Sequence, residues 1–530
     1  MHNSIYKVLV IVFSFSLSVL VLDCPRENTV FGAEFEFPEE LLSQEVEWEK
    51  CEFIETKKRP RKAECANITV PLDWENQAGD TIKIYVKRLK SLLKAKRQMW
   101  WLEGGPGAAG TATLPEQFMK PLANLDWRTD LYVLDHRGTG NSHRLGCPEQ
   151  ETDDSEKGVM LSETEWDACI EYLEDTYNLD AFTVTQAAKD LGFLIELLKE
   201  KDKEIFVYGY SYGTYWGHRY AQIFPDQTNG LILDSVAPSV GSEVDRIDIL
   251  GNDVVSDFFD ICKKDEFCSN QFEGDPWEKA DDTFKKFQGG HCPEVVENGL
   301  TPENLQSVSL SALDFWDLRI VLPALYYRLE RCNEKDVSVF KHLSDNVLPA
   351  FSRSSSARQF SDALRYHIEL SELISDNPMS VEEMKEIDKT LLATSHFAAN
   401  NVLPLLKKGW PTYDTDMYYH EWASPNIPIL MLLGTLDQRS PIAMVNTAKE
   451  NLTGSNQYFI EVPNANHGVI KNSPVKNLFA PDCGMQIILN YMEDPLEEPD
   501  TSCLDNLKSI DFRGNPLLAL VLFGTWDLWE

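Results

Sequence analysis

Three residues far apart in the sequence have the side chains needed for acyl transfer to a serine: Ser211, Asp437 and His467, in that order. A serine hydroxyl is too weakly acidic to attack a carbonyl unaided. A neutral histidine must accept its proton, and a carboxylate must orient the histidine. Ser211 stands in "VYGYSYGTYWG" (207–217), a G-x-S-x-G pattern between an apolar run and a helical one. A nucleophile on such a sharp turn needs tiny residues two before and two after it, which Gly209 and Gly213 supply. The helix that follows points its positive end at a developing oxyanion. Asp437 lies in "LLGTLDQRSP" directly after a strongly apolar run, where capping the next helix is its alternative role. His467 lies in "VPNANHGV", a Gly-flanked loop beyond a late strand-like run. His291, His342, His367, His396 and His420 fall in a charged helical stretch, and His136 and His218 belong to other patterns.

An oxyanion hole needs two backbone N–H groups aimed at one point. Tyr212, directly after the serine, supplies the first. The second belongs to "WWLEGGPGAAG" (100–110), a loop free of bulk after an apolar run, with Gly105 as the donor and Gly104 beside it.

These groups need a scaffold that brings three loops to one edge. Runs rich in β-branched and aromatic residues occur at 83–89, 98–104, 129–137, 204–211, 230–236, 427–435 and 457–463. Helical runs separate several of them, including 185–200 and 214–224, the alternation of an α/β domain with a largely parallel sheet. Between 238 and 420 the alternation stops, and periodic runs such as 313–332 and 381–398 predict a helical insertion over the sheet. The strand pattern resumes at Ile427 and is expected to continue to the end. The organisation expected is a core in two parts, 48–237 and 421–530, around that insertion. The apolar run "PLLALVLFGTW" is expected to pack on the core.

The 530-residue chain carries 85 acidic and 49 basic side chains, a formal net charge of −36. Such a field repels polyanions and argues against a nucleic-acid partner. It attracts cations, among them protonated amino termini, and also keeps a secreted protein soluble. The one basic run, "KKRPRK" (57–62), reads as a solvated loop. At the amino terminus Lys7 precedes an apolar stretch, Val8 to Leu22, shorter than the roughly 20 residues of a membrane span. It reads as a signal peptide over 1–24, with cleavage as late as 33, and an uncleaved anchor is the alternative. After its removal no stable membrane insertion is expected. Eleven cysteines suit an exported chain. If Cys24 leaves with the signal, ten remain, and near-neighbour pairing joins Cys51 to Cys65, Cys147 to Cys169, Cys262 to Cys268, Cys292 to Cys332 and Cys483 to Cys503. Chain order alone does not fix that connectivity. No C-x-x-C spacing marks a metal site. "NIT" at Asn67 and "NLT" at Asn451 are candidate glycan acceptors.

Together "EGGPG" (103–107), "LDHRGTGNS" (134–142), "GYSYG" (209–213), "GTLDQRSP" (434–441) and "NANHGV" (464–469) resemble the proline iminopeptidase family of serine peptidases. Within it they look most like the secreted tripeptidyl aminopeptidase branch. "ECANITVPLDW" (64–74) is similar to the stretch before that branch's first strands, and "PDTSCLD" (499–505) to its terminal disulfide segment. The resemblance implies an α/β-hydrolase fold with a mostly parallel central sheet and a large helical cap before the strand of the catalytic aspartate. It makes Ser211 the nucleophile, Asp437 the orienting acid and His467 the base, and has Arg137 brace the site. It also supports the pairings 147/169, 262/268 and 483/503. Glu103 departs from the family, which has histidine or proline there; its carboxylate would hold a substrate's amino terminus or bond the loop's own backbone.

The activity so implied is that of a secreted serine aminopeptidase, releasing one to three residues from peptides with a free amino terminus and needing no cofactor. The same triad would serve a secreted carboxylesterase or lipase, and Trp316, Tyr326 and Tyr327 in the insertion suit an acyl chain as well as a peptide. A non-catalytic relative would be expected to have a broken triad. Epoxide-hydrolase or dehalogenase chemistry would need an aspartate in place of Ser211.

Overall fold

The computed structural model describes residues 35–53, 62–118, 125, 127–152, 154–348 and 360–530. The chain divides into two compact units, Met1–Glu36 and Phe37–Glu530. The expected signal peptide, and the "KKRPRK" run apart from Lys62, lie outside the described residues. The sheet and all of the site residues belong to the second unit.

Nine strands form one sheet in the order β1-β2-β3-β5-β4-β6-β7-β8-β9. They are β1 (Glu49–Glu52), β2 (Lys62–Pro71), β3 (Thr81–Leu89), β4 (Arg97–Leu102), β5 (Thr129–Leu134), β6 (Glu204–Tyr210), β7 (Gly230–Asp234), β8 (Ile429–Gly434) and β9 (Gln457–Val462). The first three strands pair antiparallel, as do β3 and β5. Every other pair is parallel. The inner parallel strands read as continuous apolar runs because both their faces are covered, and every residue of β4, β5, β7 and β8 is buried. The stretch resembling a segment before the first strands is itself mostly β2. Its residues alternate in burial over much of their length, and Cys51–Cys65 ties β1 to it.

Among the helices, α1 (Val184–Leu198) precedes β6 and starts at Thr183, whose side chain accepts from Gln186 N. Helix α2 (Tyr212–Ile223) carries the chain from β6 to β7. Between β7 and β8 the described residues contribute helices and no strand to the sheet. They include α3 (Ile247–Lys264), α4 (Val321–Arg331) and α5 (Asp362–Glu372). After β9 the strand pattern does not continue: α6 (Cys483–Glu493) and α7 (Pro516–Phe523) follow. Helix α6 packs Met485, Ile487, Ile488 and Tyr491 against sheet residues such as Phe206, Ile232, Leu430 and Leu432.

The end of the chain belongs elsewhere. Phe512, Leu522, Phe523 and Trp529 share a buried cluster with Phe258, Leu322, Leu325 and Leu329 of the insertion, not with the sheet. Arg328 of α4 fixes the tail, with Nε donating to Leu528 O at 2.7 Å. The run "PLLALVLFGTW" packs on one side only: Ala519 and Phe523 are buried, while Val521 is 66% and Trp526 64% exposed. Five disulfides join Cys51–Cys65, Cys147–Cys169, Cys262–Cys268, Cys292–Cys332 and Cys483–Cys503. Among the described residues no helix is long and apolar enough to cross a membrane. Asn67 and Asn451 are both exposed.

Candidate active site

Ser211 closes β6 and opens α2 with φ 56° and ψ −127°. A non-glycine residue in that left-handed region is strained, and the strain persists only where surroundings impose it. Here backbone packing does so. A Cβ on Gly209 would lie 2.3 Å from Gly213 O, and one on Gly213 would lie 2.2 Å from Leu102 O. The strand, the turn and the neighbouring β4 therefore touch backbone to backbone, and Ser211 N donates to Asp234 O at 3.0 Å. Ser211 is half-buried between the buried Tyr210 and Tyr212.

The Gly-rich loop after β4 lies against this turn. A Cβ on Gly104 would stand 2.8 Å from Ser211 Cβ and 3.3 Å from Oγ. Gly105 follows with φ 119°. The loop thus brings its backbone against the Ser211 side chain. Tyr212 is itself steadied: its hydroxyl lies 3.3 Å from His136 Nε2, while His136 Nδ1 lies 2.5 Å from Arg137 O. Burial holds His136 down to about 4, so its ring is neutral at physiological pH.

Asp437 and His467 meet beyond β8 and β9. His467 Nδ1 lies 2.9 Å from each carboxylate oxygen of Asp437, and both side chains are buried. Asp437 Oδ1 also accepts from Arg439 N at 3.0 Å and Ser440 N at 2.9 Å. Burial pushes this carboxyl up, but His467 and the donors from Ser440 and Ser235 outweigh it and hold it below the ordinary carboxylate range. The bond through Nδ1 leaves Nε2 as the ring atom that can take a proton. The His467 ring centroid is 5.1 Å from that of Tyr210, the residue before the serine.

Asp234 and Ser235, at the carboxyl end of β7, join the two halves. Asp234 takes Ser211 N on its backbone oxygen, Val469 N on Oδ1 at 2.7 Å and Ile470 N on Oδ2 at 2.9 Å. Tyr208 OH donates to the same carboxylate at 2.6 Å. Ser235 Oγ accepts from Gly468 N at 2.7 Å. The acid turn and the histidine loop bond each other through Leu436 N to Ala465 O at 2.9 Å and Asn464 N to Thr435 Oγ1 at 2.8 Å. In the sequence this pair reads only as the end of a strand. The signal it offers is two polar residues closing the apolar run "GLIL" at the edge where the sheet's loops converge.

Arg137 forms a fully buried bidentate pair with Asp190 of α1, with Nε to Oδ2 at 2.7 Å and Nη2 to Oδ1 at 2.6 Å. It also donates to Leu72 O and Ala181 O. Glu103 turns toward the Trp101 side of the sheet, where its Oε2 accepts from Trp101 Nε1 at 3.1 Å. Burial pushes this carboxyl up, against bonds from Trp101 and Gly104 N and the charge of Lys471. The side chain thus bonds its own loop and the core.

Several described segments of the insertion reach the site. Ser361 N donates to Gly107 O at 2.9 Å, and a Cβ on Gly107 would fall 2.3 Å from Ser361 O. Glu372 of α5 accepts from Tyr215 OH at 2.8 Å and Arg219 Nη2 at 2.7 Å, both on α2. Another contact is through Asp314, whose carboxylate accepts from Gln438 and Arg439 of the acid turn.

Comparison with known proteins agrees with this architecture. The family described as "alpha/beta hydrolase fold" matches residues 102–266. A serine protease of Mycobacterium tuberculosis is 28% identical over 235 residues, 41% of this chain and 44% of that protein. A tripeptidyl aminopeptidase of Streptomyces coelicolor is 29% identical over 208 residues, 36% of this chain and 38% of that protein. The chain thus matches less than half the length of these curated relatives. The crystal structure of a proline iminopeptidase from Mycobacterium smegmatis aligns over 81% of this chain and 93% of its own, with 13% identity and a TM-score of 0.31. A mostly parallel sheet, a strained serine turn after β6 and a family match over 102–266, which includes that turn, give the chain an α/β-hydrolase fold.

Proposed function

We propose that this protein is a secreted serine aminopeptidase acting through Ser211, His467 and Asp437. The observation that carries the reading is the pairing of His467 Nδ1 with both oxygens of Asp437, which leaves Nε2 to serve a serine held on a strained turn at the same sheet edge. Ser211 Oγ attacks the scissile carbonyl while His467 Nε2 takes its proton, and the N–H groups of Tyr212 and Gly105 receive the oxyanion. His467 then gives the proton to the leaving amine, and in the second half activates water against the acyl-enzyme. Asp437 stays ionised and stabilises the imidazolium, in keeping with its lowered pKa.

Preference for a free amino terminus is supported by α5. One turn after Arg365, which packs against Gly107, Glu369 is buried with Oε1 accepting from Arg365 Nε at 3.0 Å. Its Oε2 has no hydrogen-bond partner among the described residues. A buried carboxylate oxygen without a donor is costly, and an ammonium group would relieve it. The similarity to a tripeptidyl aminopeptidase points the same way. Export is supported by the cysteine usage and the amino-terminal apolar run. The test compares a tripeptidyl anilide with its N-acetylated form. Hydrolysis should collapse on acetylation; equal rates, or turnover of simple esters alone, would overturn the aminopeptidase reading in favour of an esterase.

A further inference from the structure

The acid turn and the histidine loop are gripped by a short piece of the insertion. Asp314 Oδ1 accepts from Gln438 Nε2 at 2.6 Å and Arg439 Nε at 2.8 Å, and Oδ2 accepts from Arg439 Nη2 at 2.6 Å. The residue before it, Leu313, takes Asn466 Nδ2 on its carbonyl at 2.6 Å. Five residues on, the buried Arg319 donates to Asn464 O and stacks on Trp316 at 3.9 Å. Leu436, next to Asp437, is buried in the insertion's own apolar cluster. One segment, 313–319, therefore holds Gln438 and Arg439, directly after Asp437, and, on the histidine loop, Asn464 and Asn466.

We propose that Asp314 is a positioning residue for catalysis: through Gln438 and Arg439 it fixes the Asp437 turn, and with Leu313 O it keeps that turn in register with His467. The inference rests on the proposed triad of Ser211, Asp437 and His467. A bidentate guanidinium–carboxylate contact fixes direction as well as distance, which a base that must stay aligned through two proton transfers requires. Asp314 also acts through its charge. Burial pushes its carboxyl up, but Arg439 outweighs this and holds it ionised, close enough for its field to reach His467. The other groups facing His467 are Asp437 on the acid turn, Asp234 from β7 and Tyr210 from β6; Arg439 lies against Asp314 and near Asp437, and Lys471 on the histidine's own loop lies over the Tyr210 ring within reach of the charges of Glu103, Asp234, Asp314 and Arg439.

The test uses the full chain and a peptide anilide. Asp314→Asn removes an anion and leaves Arg439 uncompensated, so both changes disfavour the imidazolium. The acid limb of kcat/KM should move to lower pH. Arg439→Gln should move it to higher pH. In Asp314→Asn, kcat should fall about tenfold or more with KM nearly unchanged, the signature of a misaligned catalytic group. Asp314→Glu, which keeps the charge, should recover the limb and part of kcat. Thermal unfolding followed by circular dichroism shows whether each variant folds. If kcat stays at the wild-type level in Asp314→Asn, or if both variants shift the limb in the same direction, Asp314 has no positioning role. If activity is lost only in step with the melting temperature and Asp314→Glu loses as much, its role is structural and the proposal falls. The triad assignment fails separately, if Ser211→Ala keeps hydrolysis and fluorophosphonate labelling.

Discussion

Ser211 is seated by backbone against backbone, whereas Asp437 and His467 are seated by side chains that reach across from β7 and the insertion. In the first region β6, the turn and α2 are consecutive, and two glycines let them close on β4 with no side chain between. In the second, Asp437 and His467 stand 30 residues apart, and the histidine loop hangs on Asp234, more than 230 residues earlier. Ser211 thus depends on steric exclusion, which is local and stiff. The acid–base pair depends on polar contacts whose strength comes from burial and geometry. The first region fails by overlap, the second by loss of alignment.

The largest effect separates the reacting group from both kinds of support. Ser211→Ala should lower kcat by about 10⁶-fold and abolish labelling by a fluorophosphonate, with the fold retained. Next, Asp234→Asn attacks the link between the regions. An amide can offer only one acceptor where Val469 N, Ile470 N and Tyr208 OH all donate, so one N–H of the histidine loop loses its partner. A fall in kcat of roughly 10- to 100-fold is expected, with KM little changed, as for other supporting contacts to a catalytic group. Wild-type kcat in this variant would show that the histidine loop holds itself.

Gly213→Ala probes the steric side. Its Cβ would meet Leu102 O at 2.2 Å, so the turn must open or β4 must shift. The expected cost is about 1–3 kcal/mol of stability, read from the denaturant midpoint, with activity lost alongside it. If this glycine tolerated alanine without loss, the contrast between the regions would collapse.

The smallest effect comes from a second histidine–carboxylate pair remote from the first. His396 Nδ1 lies 3.2 Å from Asp388 Oδ2 within the insertion, and the bond to Asp388 raises the histidine's pKa. A raised folded-state value means the pair's stabilisation is complete below the unfolded value of about 6.5 and is lost as pH rises through the raised one. Melting temperature should therefore decline modestly across that window in the wild type and less in His396→Gln. An identical decline in both proteins would show that His396 contributes nothing to it.

The sequence can be read furthest where the constraint is local. Gly209, Ser211 and Gly213 are spaced by the geometry of one turn, and the inner strands appear as unbroken apolar runs because both their faces are covered. The disulfides join cysteines that are neighbours in chain order, although the separations run from 6 to 40 residues and order alone left the connectivity open. Legibility fails where partners are distant. Strand β2 escapes a search for apolar runs because its alternation includes Asn, Thr and Glu. The tail "PLLALVLFGTW" reads as apolar but not as belonging to the insertion, since only the fold reveals that Arg328 and the carboxyl-terminal residues meet. For Glu103 the sequence leaves two roles open, holding a substrate's amino terminus or bonding its own loop, because it says nothing of the side to which a loop carboxylate turns.

By itself the sequence determined the candidates: a serine on a forced turn, a carboxylate and an imidazole in the order Ser, Asp, His, and a parallel sheet whose loops can meet. Those follow from residue type, periodicity and spacing, which act over a few residues. Only the tertiary structure decided how the acid and base are held. Asp234 and Asp314 stand more than a hundred residues from the donors they take on the His467 loop and the Asp437 turn, and have no motif of their own; burial against specific donors sets an otherwise ordinary aspartate apart.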